Sequence, residues 1–139
     1  MFVKEELYTK EKIINGKTVA KIVREILSTR DEQDREKEHF FVFGLDVKNN
    51  IKYIDIVSVG TQTESLVHPR ETFRVAIWKN CVSILLAHNH PSGETQPGKA
   101  DLEITGRLVE CGKILSIKVL DHVIVSEDGF TSFVQEGMI

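Results

Sequence analysis

Apolar residues recur along this chain with two different periods. The first periodic segment has apolar residues at three- and four-residue spacing, namely Val19, Ile22, Val23, Ile26 and Leu27. This spacing predicts an amphipathic helix over about residues 17–30. Other stretches are short, apolar and rich in β-branched or aromatic residues, which is typical of strands. They cover residues 40–45, 51–59, 82–88, 117–125 and 130–133.

Two further helices are predicted between these strands. Pro69 suits the first turn of a helix, and the apolar side of that helix would be formed by Phe73, Ala76, Ile77 and Trp78. A second helix is predicted over about residues 99–111, with Gly112 just beyond its end. Its apolar stripe would consist of Ile104, Leu108, Cys111 and Leu115. The charged run from Ser28 to Glu38 indicates a solvated helix end followed by a loop.

The order of these elements predicts an α/β fold. Strands and helices in the order strand-strand-helix-strand-helix-strand-strand favour a mixed sheet flanked by helices. A chain of 139 residues suits one domain with one core. We therefore expect an irregular N-terminal arm over residues 1–16 and the domain over residues 17–139.

Composition narrows the class of protein without naming a function. The net charge of -3 and the absence of a basic tail argue against strong non-specific binding to nucleic acid, although a local basic patch stays possible. The N-terminus is charged too early for a signal peptide, and no apolar run has the length of a membrane span. Cys81 and Cys111 are expected to be reduced core thiols rather than a disulfide. These features predict a cytoplasmic protein that does not bind membranes.

The segment from Leu86 to Asp101 holds the strongest candidate chemistry. His88 and His90 follow a predicted strand and share one of its faces, because residues i and i+2 point to the same side. The turn residues after them can carry the chain back, so that Asp101 in the first turn of the next helix completes the set. Two imidazoles and a carboxylate form a zinc site with a fourth position open to water. We expect one zinc ion per chain. The alternatives are that both histidines are ordinary core or surface residues, and that Asp101 only complements the helix dipole.

This spacing resembles the JAMM signature of the JAB/MPN metalloprotease superfamily, and in particular its RadC branch. Four blocks of sequence carry the resemblance, and they lie at residues 67–71, 88–93, 101–105 and 120–125. The resemblance covers roughly residues 17–135. It implies the JAB/MPN fold, which is cytidine-deaminase-like, with a curved mixed sheet between helices. RadC-like proteins often carry a helical region before this domain, and the short segment before the first helix here predicts that it is absent.

The resemblance also implies a general base. In the JAMM pattern a Glu at the start of an early strand takes a proton from the zinc-bound water, and Glu38 matches that position. Glu36 is the alternative if the alignment slips by two residues, and Glu94 suits the role less because it lies in a turn. Glu38 could also do no more than solvate the end of a charged loop.

The chain departs from the motif at Gly98, where the family has a Ser that helps to hold an oxyanion. Gly98 can still begin the following helix, but the hydroxyl is lost, and losing such a donor typically costs about 10²–10³ in rate. A water molecule or the hydroxyl of Ser92 is the expected substitute. Activity is therefore less firmly predicted than metal binding.

Three other residues in the matching blocks have two readings each. His68 either contacts the substrate or the surroundings of the metal, or ties the start of a helix. His122 either pairs with Asp121 to support the metal site or is a satisfied core histidine. Arg70 either binds an anionic group or lies on a helix surface.

These residues predict a zinc-dependent hydrolase that acts on a peptide or isopeptide bond of a peptide or protein substrate. A nuclease is the second hypothesis, because the RadC name is tied to DNA repair. A single zinc without a second metal suits carbonyl chemistry better than phosphoryl displacement. The third hypothesis is a non-catalytic, metal-stabilised module in DNA repair or a mobile element. The oligomeric state and the identity of the substrate do not follow from the sequence.

Overall fold

The computed structural model describes Lys12, residues 15–60 and residues 67–139, and four helices and five strands lie within these ranges. In chain order they are α1 (Gly16–Ser28), α2 (Glu32–Arg35), β1 (Glu38–Leu45), β2 (Ile51–Gly60), α3 (Pro69–Trp78), β3 (Ser83–Asn89), α4 (Lys99–Leu115), β4 (Lys118–Val125) and β5 (Phe130–Ser132). The predicted arm falls almost wholly outside the described residues, so its conformation stays a prediction.

The strands form one open mixed sheet in the order β2-β1-β3-β4-β5. Only the central pair, β3 and β4, is parallel, and the other neighbouring strands are antiparallel. A parallel pair needs a long crossover, and α4 provides it. The prediction of an α/β fold with a mixed sheet flanked by helices is therefore confirmed.

The helices cover the two faces of the sheet with separate apolar cores. On one face α1 packs Val19 and Val23 with Phe41 and Ala87. On the other face α3 and α4 contribute Phe73 and Leu108, which pack with Phe40 and Leu86. Because side chains alternate along a strand, neighbouring residues of β1 and β3 belong to opposite cores. This alternation decides which polar residues at the strand ends point towards α4.

An irregularity in β4 changes the face on which its later residues lie. Ile84 of β3 pairs with Val119, but Leu86 pairs with His122, so one residue of β3 stands opposite two residues of β4. Such a β-bulge reverses the alternation of side chains beyond it. Val119 belongs to the core beneath α4, whereas Val123 belongs to the core beneath α1. The bulge therefore places His122 on the α4 side of the sheet.

Several local predictions are wrong. Gly112 does not follow α4 but lies inside it; the helix ends at Leu115, and Ser116 adopts the left-handed conformation with φ 58°. In α3, Ile77 and Trp78 are exposed, and Thr72 and Val75 take the buried positions instead. Ile77 and Trp78 face solvent because α3 packs on the sheet and α4 only through its buried residues, which are Thr72, Phe73, Val75 and Ala76.

The other local differences concern α4 and the charged run. The buried stripe of α4 runs through Thr105, Leu108 and Gly112, while Leu115 is exposed. The charged run forms the short helix α2, whose first turn is capped by the side chain of Asp31. Cys81 and Cys111 are free thiols, as expected. No helix in the described part of the chain is long and apolar enough to span a membrane.

Candidate metal centre

The side chains of His88, His90 and Asp101 converge at the end of the central strand. Nε2 of His88 lies 2.8 Å from Nε2 of His90 and 3.4 Å from Oδ1 of Asp101. Nε2 of His90 lies 3.5 Å from Oδ2 of the same carboxylate. The three residues form a group that could hold a metal ion, with their ligand atoms all within 4.8 Å of one another.

Two elements and a tethered loop bring these residues together. His88 lies in β3 on the face of Leu86, which packs beneath α4. Asp101 lies in the first turn of α4, where its carboxylate accepts a hydrogen bond of 2.8 Å from the backbone N–H of Gly98. An acidic group is favoured at this end of a helix by its dipole. The polar start of α4 therefore holds Asp101 over the end of β3.

His90 is oriented by the loop that follows it. Its Nδ1 lies 2.8 Å from the carbonyl oxygen of Glu94. A carbonyl only accepts hydrogen bonds, so Nδ1 carries the proton and Nε2 is left facing the cluster. The loop is tied to β5 by a 2.8 Å hydrogen bond from the hydroxyl of Thr131 to that of Thr95. The loop thus sets which nitrogen of His90 is available to a metal.

Glu38 begins β1 and lies at the edge of the cluster. Alternation along β1 puts it on the face of Phe40, which is also the α4 side of the sheet. Its Oε1 is 3.9 Å from Nε2 of His90, and its side chain is 14% exposed. The carboxylate is therefore close to the three converging residues and is mostly shielded from solvent.

Asn89, the residue between the two histidines, holds the backbone on both sides of Glu38. Its Oδ1 accepts a 2.6 Å hydrogen bond from the N–H of His39, and its Nδ2 donates a 3.0 Å hydrogen bond to the carbonyl of Lys37. The sequence prediction overlooked this role. Alternation alone places Asn89 on the opposite side of the strand from the histidines, but nothing local indicates which backbone it meets.

The surroundings shift the pKa values of the cluster in opposite directions. Burial lowers the pKa of His88 to about 4, although the neighbouring Asp101 opposes this shift. Burial raises the pKa of Asp101, but the hydrogen bond with His90 and the charges around it outweigh this effect and bring the pKa to about 2. The hydrogen bond with Asp101 raises the pKa of His90. At neutral pH His88 is therefore a neutral imidazole and Asp101 an ionised carboxylate, which are the forms that bind metals.

The pKa of Glu38 is raised as well. Its burial is the largest cause; His90 opposes the shift, and the nearby carboxylate of Asp101 adds to it. A carboxyl group with a raised pKa holds a proton more readily than an exposed glutamate does.

Behind His88, two buried polar residues form a line of hydrogen bonds. Nδ1 of His88 is 2.7 Å from Nε2 of His122, and Nδ1 of His122 is 2.6 Å from the hydroxyl oxygen of Thr105. His122 and Thr105 are fully buried, and burial lowers the pKa of His122 well below its usual value. The ring of His122 meets these residues and not Asp121, whose carboxylate accepts a hydrogen bond from the backbone N–H of His122. One of the two readings of His122 expected it to pair with Asp121 beside the metal site. Its ring does contact the cluster, but it bonds His88 and Thr105 and not the carboxylate of Asp121.

The other candidate residues lie further out. Ser92 is exposed in a turn, and no hydrogen bond joins its hydroxyl to any residue that the structure describes. His68 is exposed at the start of α3 and lines a cleft beside Glu38 and Asp101. Arg70 is exposed and lies 3.8 Å from Glu71. Gly98 caps α4 through its backbone alone, with no side-chain hydrogen bond.

The two alternatives to Glu38 are less suitably placed. Glu36 is exposed at the end of α2, where it lines a groove on the α1 side of the sheet. Glu94 has an exposed side chain and contacts His90 through its backbone carbonyl.

The donor set fits a zinc ion. Two ligand atoms on a tetrahedral zinc with bonds of about 2.0–2.1 Å lie about 3.3 Å apart. The two contacts to the Asp101 carboxylate are close to this separation, and the two Nε2 atoms need to move apart by only a few tenths of an ångström. Two imidazoles and one carboxylate are also the donor types of catalytic zinc sites.

Hollows on both faces of the sheet reach the cluster. On the α4 side, a cleft of about 290 Å³ is lined by Glu38, His68, His88, Asp101 and Arg107. On the α1 side, a groove of about 590 Å³ is lined by residues that include Arg24, Arg35 and His90. The candidate metal centre therefore lies between two hollows and is not the closed end of one.

Fold and site together define an α/β domain with a candidate metal centre at the end of its central strand. The family model described as the RadC-like JAB domain matches residues 13–138. The chain therefore belongs to the RadC-like JAB domain family, and the resemblance deduced from its sequence is confirmed.

Curated relatives support this membership. The chain is 43% identical over 113 residues to a UPF0758 protein of Desulforamulus reducens, covering 81% of this chain and 50% of the relative. It is 52% identical over 101 residues to a UPF0758 protein of Caldanaerobacter subterraneus subsp. tengcongensis, covering 73% of this chain and 43% of the relative. The chain spans about half the length of the curated relatives it matches.

Proposed function

We propose that this domain is a zinc-dependent hydrolase of the JAMM type that cleaves a peptide or isopeptide bond. The supporting observation is the convergence of His88, His90 and Asp101, with the carboxylate of Glu38 beside them. Three donors leave one side of a tetrahedral ion free for water or substrate. A fourth protein ligand would instead give the closed arrangement of a structural site.

Each residue has a defined task in this proposal. His88, His90 and Asp101 would hold the zinc ion, which would polarise a carbonyl and lower the pKa of water towards neutrality. Glu38 accepts a proton from the attacking water and returns it to the leaving nitrogen, so the same carboxyl group acts first as base and then as acid. The carboxylate of Glu38 lies at the edge of the cluster, with Oε1 3.9 Å from Nε2 of His90.

The hollows on both faces of the sheet favour an extended substrate. A chain that crosses the end of β3 can occupy the cleft beside Arg107 and the groove beside Arg35 with the scissile bond between them. A small molecule would need only one of these hollows. This arrangement suits an extended chain rather than a small molecule. The arginines in both hollows suit phosphates as well, so the nuclease hypothesis becomes an outcome of the test below.

Zinc content and substrate preference test the proposal. The purified wild type should hold about one zinc per chain by elemental analysis, as expected for a single catalytic site of three protein ligands. His88→Ala and Asp101→Ala should lose the zinc. His68→Ala is the matched control, because it removes an exposed histidine from the same cleft and should leave the zinc in place.

The zinc-loaded protein is then assayed against peptide, isopeptide-linked and single- and double-stranded DNA substrates. Cleavage of an amide bond that disappears in His88→Ala supports the proposal. Full zinc retention in His88→Ala contradicts the assignment of the metal centre, and cleavage of DNA alone contradicts the proposed substrate class.

A further inference from the structure

We propose that Thr105 and His122 form a positioning relay that holds His88 as its Nδ1–H tautomer and so presents Nε2 to the metal. The inference rests on the proposed zinc centre and deepens it. Neither residue touches the ion or the substrate. Their effect passes through the ring of His88.

The backbone carbonyl of Asp101 sets the direction of the hydrogen bonds in the relay. The hydroxyl of Thr105 lies 2.6 Å from the carbonyl oxygen of Asp101, which only accepts hydrogen bonds. The same hydroxyl oxygen lies 2.6 Å from Nδ1 of His122. The single hydroxyl proton therefore points to Asp101, because otherwise two oxygen lone pairs would face each other at that distance. Consequently the hydroxyl accepts from His122.

This first step decides the tautomers of both histidines. His122 donates from Nδ1, and a neutral imidazole has only one N–H, so its Nε2 is an acceptor. Nδ1 of His88 lies 2.7 Å away and must donate to it. Nε2 of His88 then has a free lone pair, and it is the atom that faces His90 and Asp101.

Packing keeps the relay in one arrangement. The ring of His122 stacks on Phe133 at 4.6 Å between ring centroids and meets the edge of Phe40 at 5.5 Å. Thr105 and His122 are fully buried and His88 is 4% exposed, so water does not compete for their hydrogen bonds. The β-bulge before His122 turns its ring to this side of the sheet.

The relay also links two of the proposed metal ligands. Asp101 stands at one end in the first turn of α4, and His88 stands at the other end in β3. Together with the hydrogen bond from His90 to Glu94, it leaves Nε2 of both histidines and the carboxylate of Asp101 facing one point. This group of atoms is suited to binding a cation.

Ring nitrogen NMR of the metal-free protein tests the tautomers directly. Correlations between ring nitrogens and carbon-bound protons distinguish Nδ1–H from Nε2–H imidazoles. We expect both His88 and His122 of the wild type to be Nδ1–H. An Nε2–H assignment for His88, or an average of both tautomers, overturns the proposal whether or not the protein binds zinc.

Substitutions at Thr105 test the coupling. Thr105→Val keeps the shape but removes the acceptor for His122, and should weaken zinc binding about 10–100-fold, as loss of a partner behind a metal ligand does. Thr105→Ser restores the hydroxyl and should restore the affinity. Thr72→Val is the matched control, because Thr72 is also buried and its hydroxyl also bonds a carbonyl four residues earlier, that of His68.

The outcomes separate this proposal from the proposed function. Unchanged zinc affinity and tautomers in Thr105→Val overturn the relay, as does equal weakening in Thr72→Val. If the wild type binds no zinc, the metal centre is wrong, while the NMR result still decides the tautomers. If Thr105→Val does not fold, the NMR assignment of the wild type remains the test.

Discussion

The position of Glu38 is set by the hydrogen bonds of the backbone on either side of it and by its place at the start of β1. Asn89 bonds the backbone on both sides of it, and β1 turns its carboxylate towards α4. Its Oε1 lies 3.9 Å from Nε2 of His90. A backbone held in this way fixes the point from which the Glu38 side chain reaches the cluster, which favours proton transfer.

Glu38→Gln should abolish nearly all turnover and leave zinc content and melting temperature unchanged. The amide has the size of the carboxylate but does not accept a proton, and general base catalysis typically contributes about 10²–10⁴-fold. Single-turnover rates and elemental analysis measure the two effects. Equal turnover in wild type and variant would place the base elsewhere, and loss of zinc would make Glu38 a ligand.

Gly98 is a second residue at which a substitution should change the site without changing the fold. Its φ of -81° and ψ of 171° are accessible to any residue, and an added Cβ would lie 3.6 Å from Oδ2 of Asp101, an ordinary contact. Nothing in the backbone therefore demands glycine here. A serine at this position would place a hydroxyl beside the proposed metal ligand without rearranging the helix start.

Gly98→Ser should raise hydrolysis, by as much as about 10²-fold if the hydroxyl stabilises an oxyanion. Zinc content should stay the same, and the free energy of unfolding should rise by a few tenths of a kcal/mol because serine caps a helix slightly better than glycine. Gly98→Ala is the control, since it adds the Cβ without the hydroxyl. If both variants match the wild type in rate, another donor already fills the role.

At the scale of elements, α4 shows how a tertiary contact overrides a local preference. A Cβ on Gly112 would lie 2.4 Å from the carbonyl oxygen of Ile117, and the carbonyl of Gly112 accepts a hydrogen bond from the N–H of Ile117. The chain thus turns back tightly against the last turns of the helix. Gly112 is required for this close approach and not for a left-handed conformation, which Ser116 adopts instead.

Gly112→Ala should lower the free energy of unfolding by about 1–3 kcal/mol, because the backbone must shift to admit the methyl group. Gly106→Ala is the control within the same helix. An added Cβ there meets nothing within 4 Å, so this variant should gain about 0.5–1 kcal/mol from helix propensity. Urea unfolding compares the two variants. Equal stabilisation by both would show that the close approach to Ile117 is relaxed in solution.

At the scale of the whole molecule, the candidate centre joins parts of the chain that are distant in sequence. Glu38 comes from β1, His88 from β3 and Asp101 from α4, and they meet only when the sheet and its crossover have formed. Because the unfolded chain holds no such site, metal binding at the proposed centre would be coupled to folding. Binding should therefore stabilise the whole domain.

Zinc at 100 times its dissociation constant should stabilise the fold by about 2.7 kcal/mol. For a domain of this size, this corresponds to a rise in melting temperature of about 10 °C. Thermal unfolding with zinc and then with excess chelator measures the effect. His88→Ala should show no rise. The same rise in that variant would indicate zinc binding elsewhere on the molecule.

The parts of the fold that depend on local pattern were predictable. The periods of apolar residues gave α1 and the strands within a few residues, and the His-x-His pair after a strand placed two ring systems on one side. The exposed faces of α3 and α4 were not predictable in the same way. Ile77, Trp78 and Leu115 have apolar side chains at helical spacing, yet they face solvent.

The α/β class, the order of the elements and the candidate triad could be predicted from residue spacing, because periodicity acts between residues close along the chain. The β-bulge that turns His122 towards His88, the hydrogen bonds of Asn89 to the backbone beside Glu38, and the place of Thr105 behind the cluster depend on packing between distant segments. These contacts join residues from 17 to 52 positions apart. Their partners are selected by the register of the strands and the packing of α4 on the sheet, which no local pattern encodes.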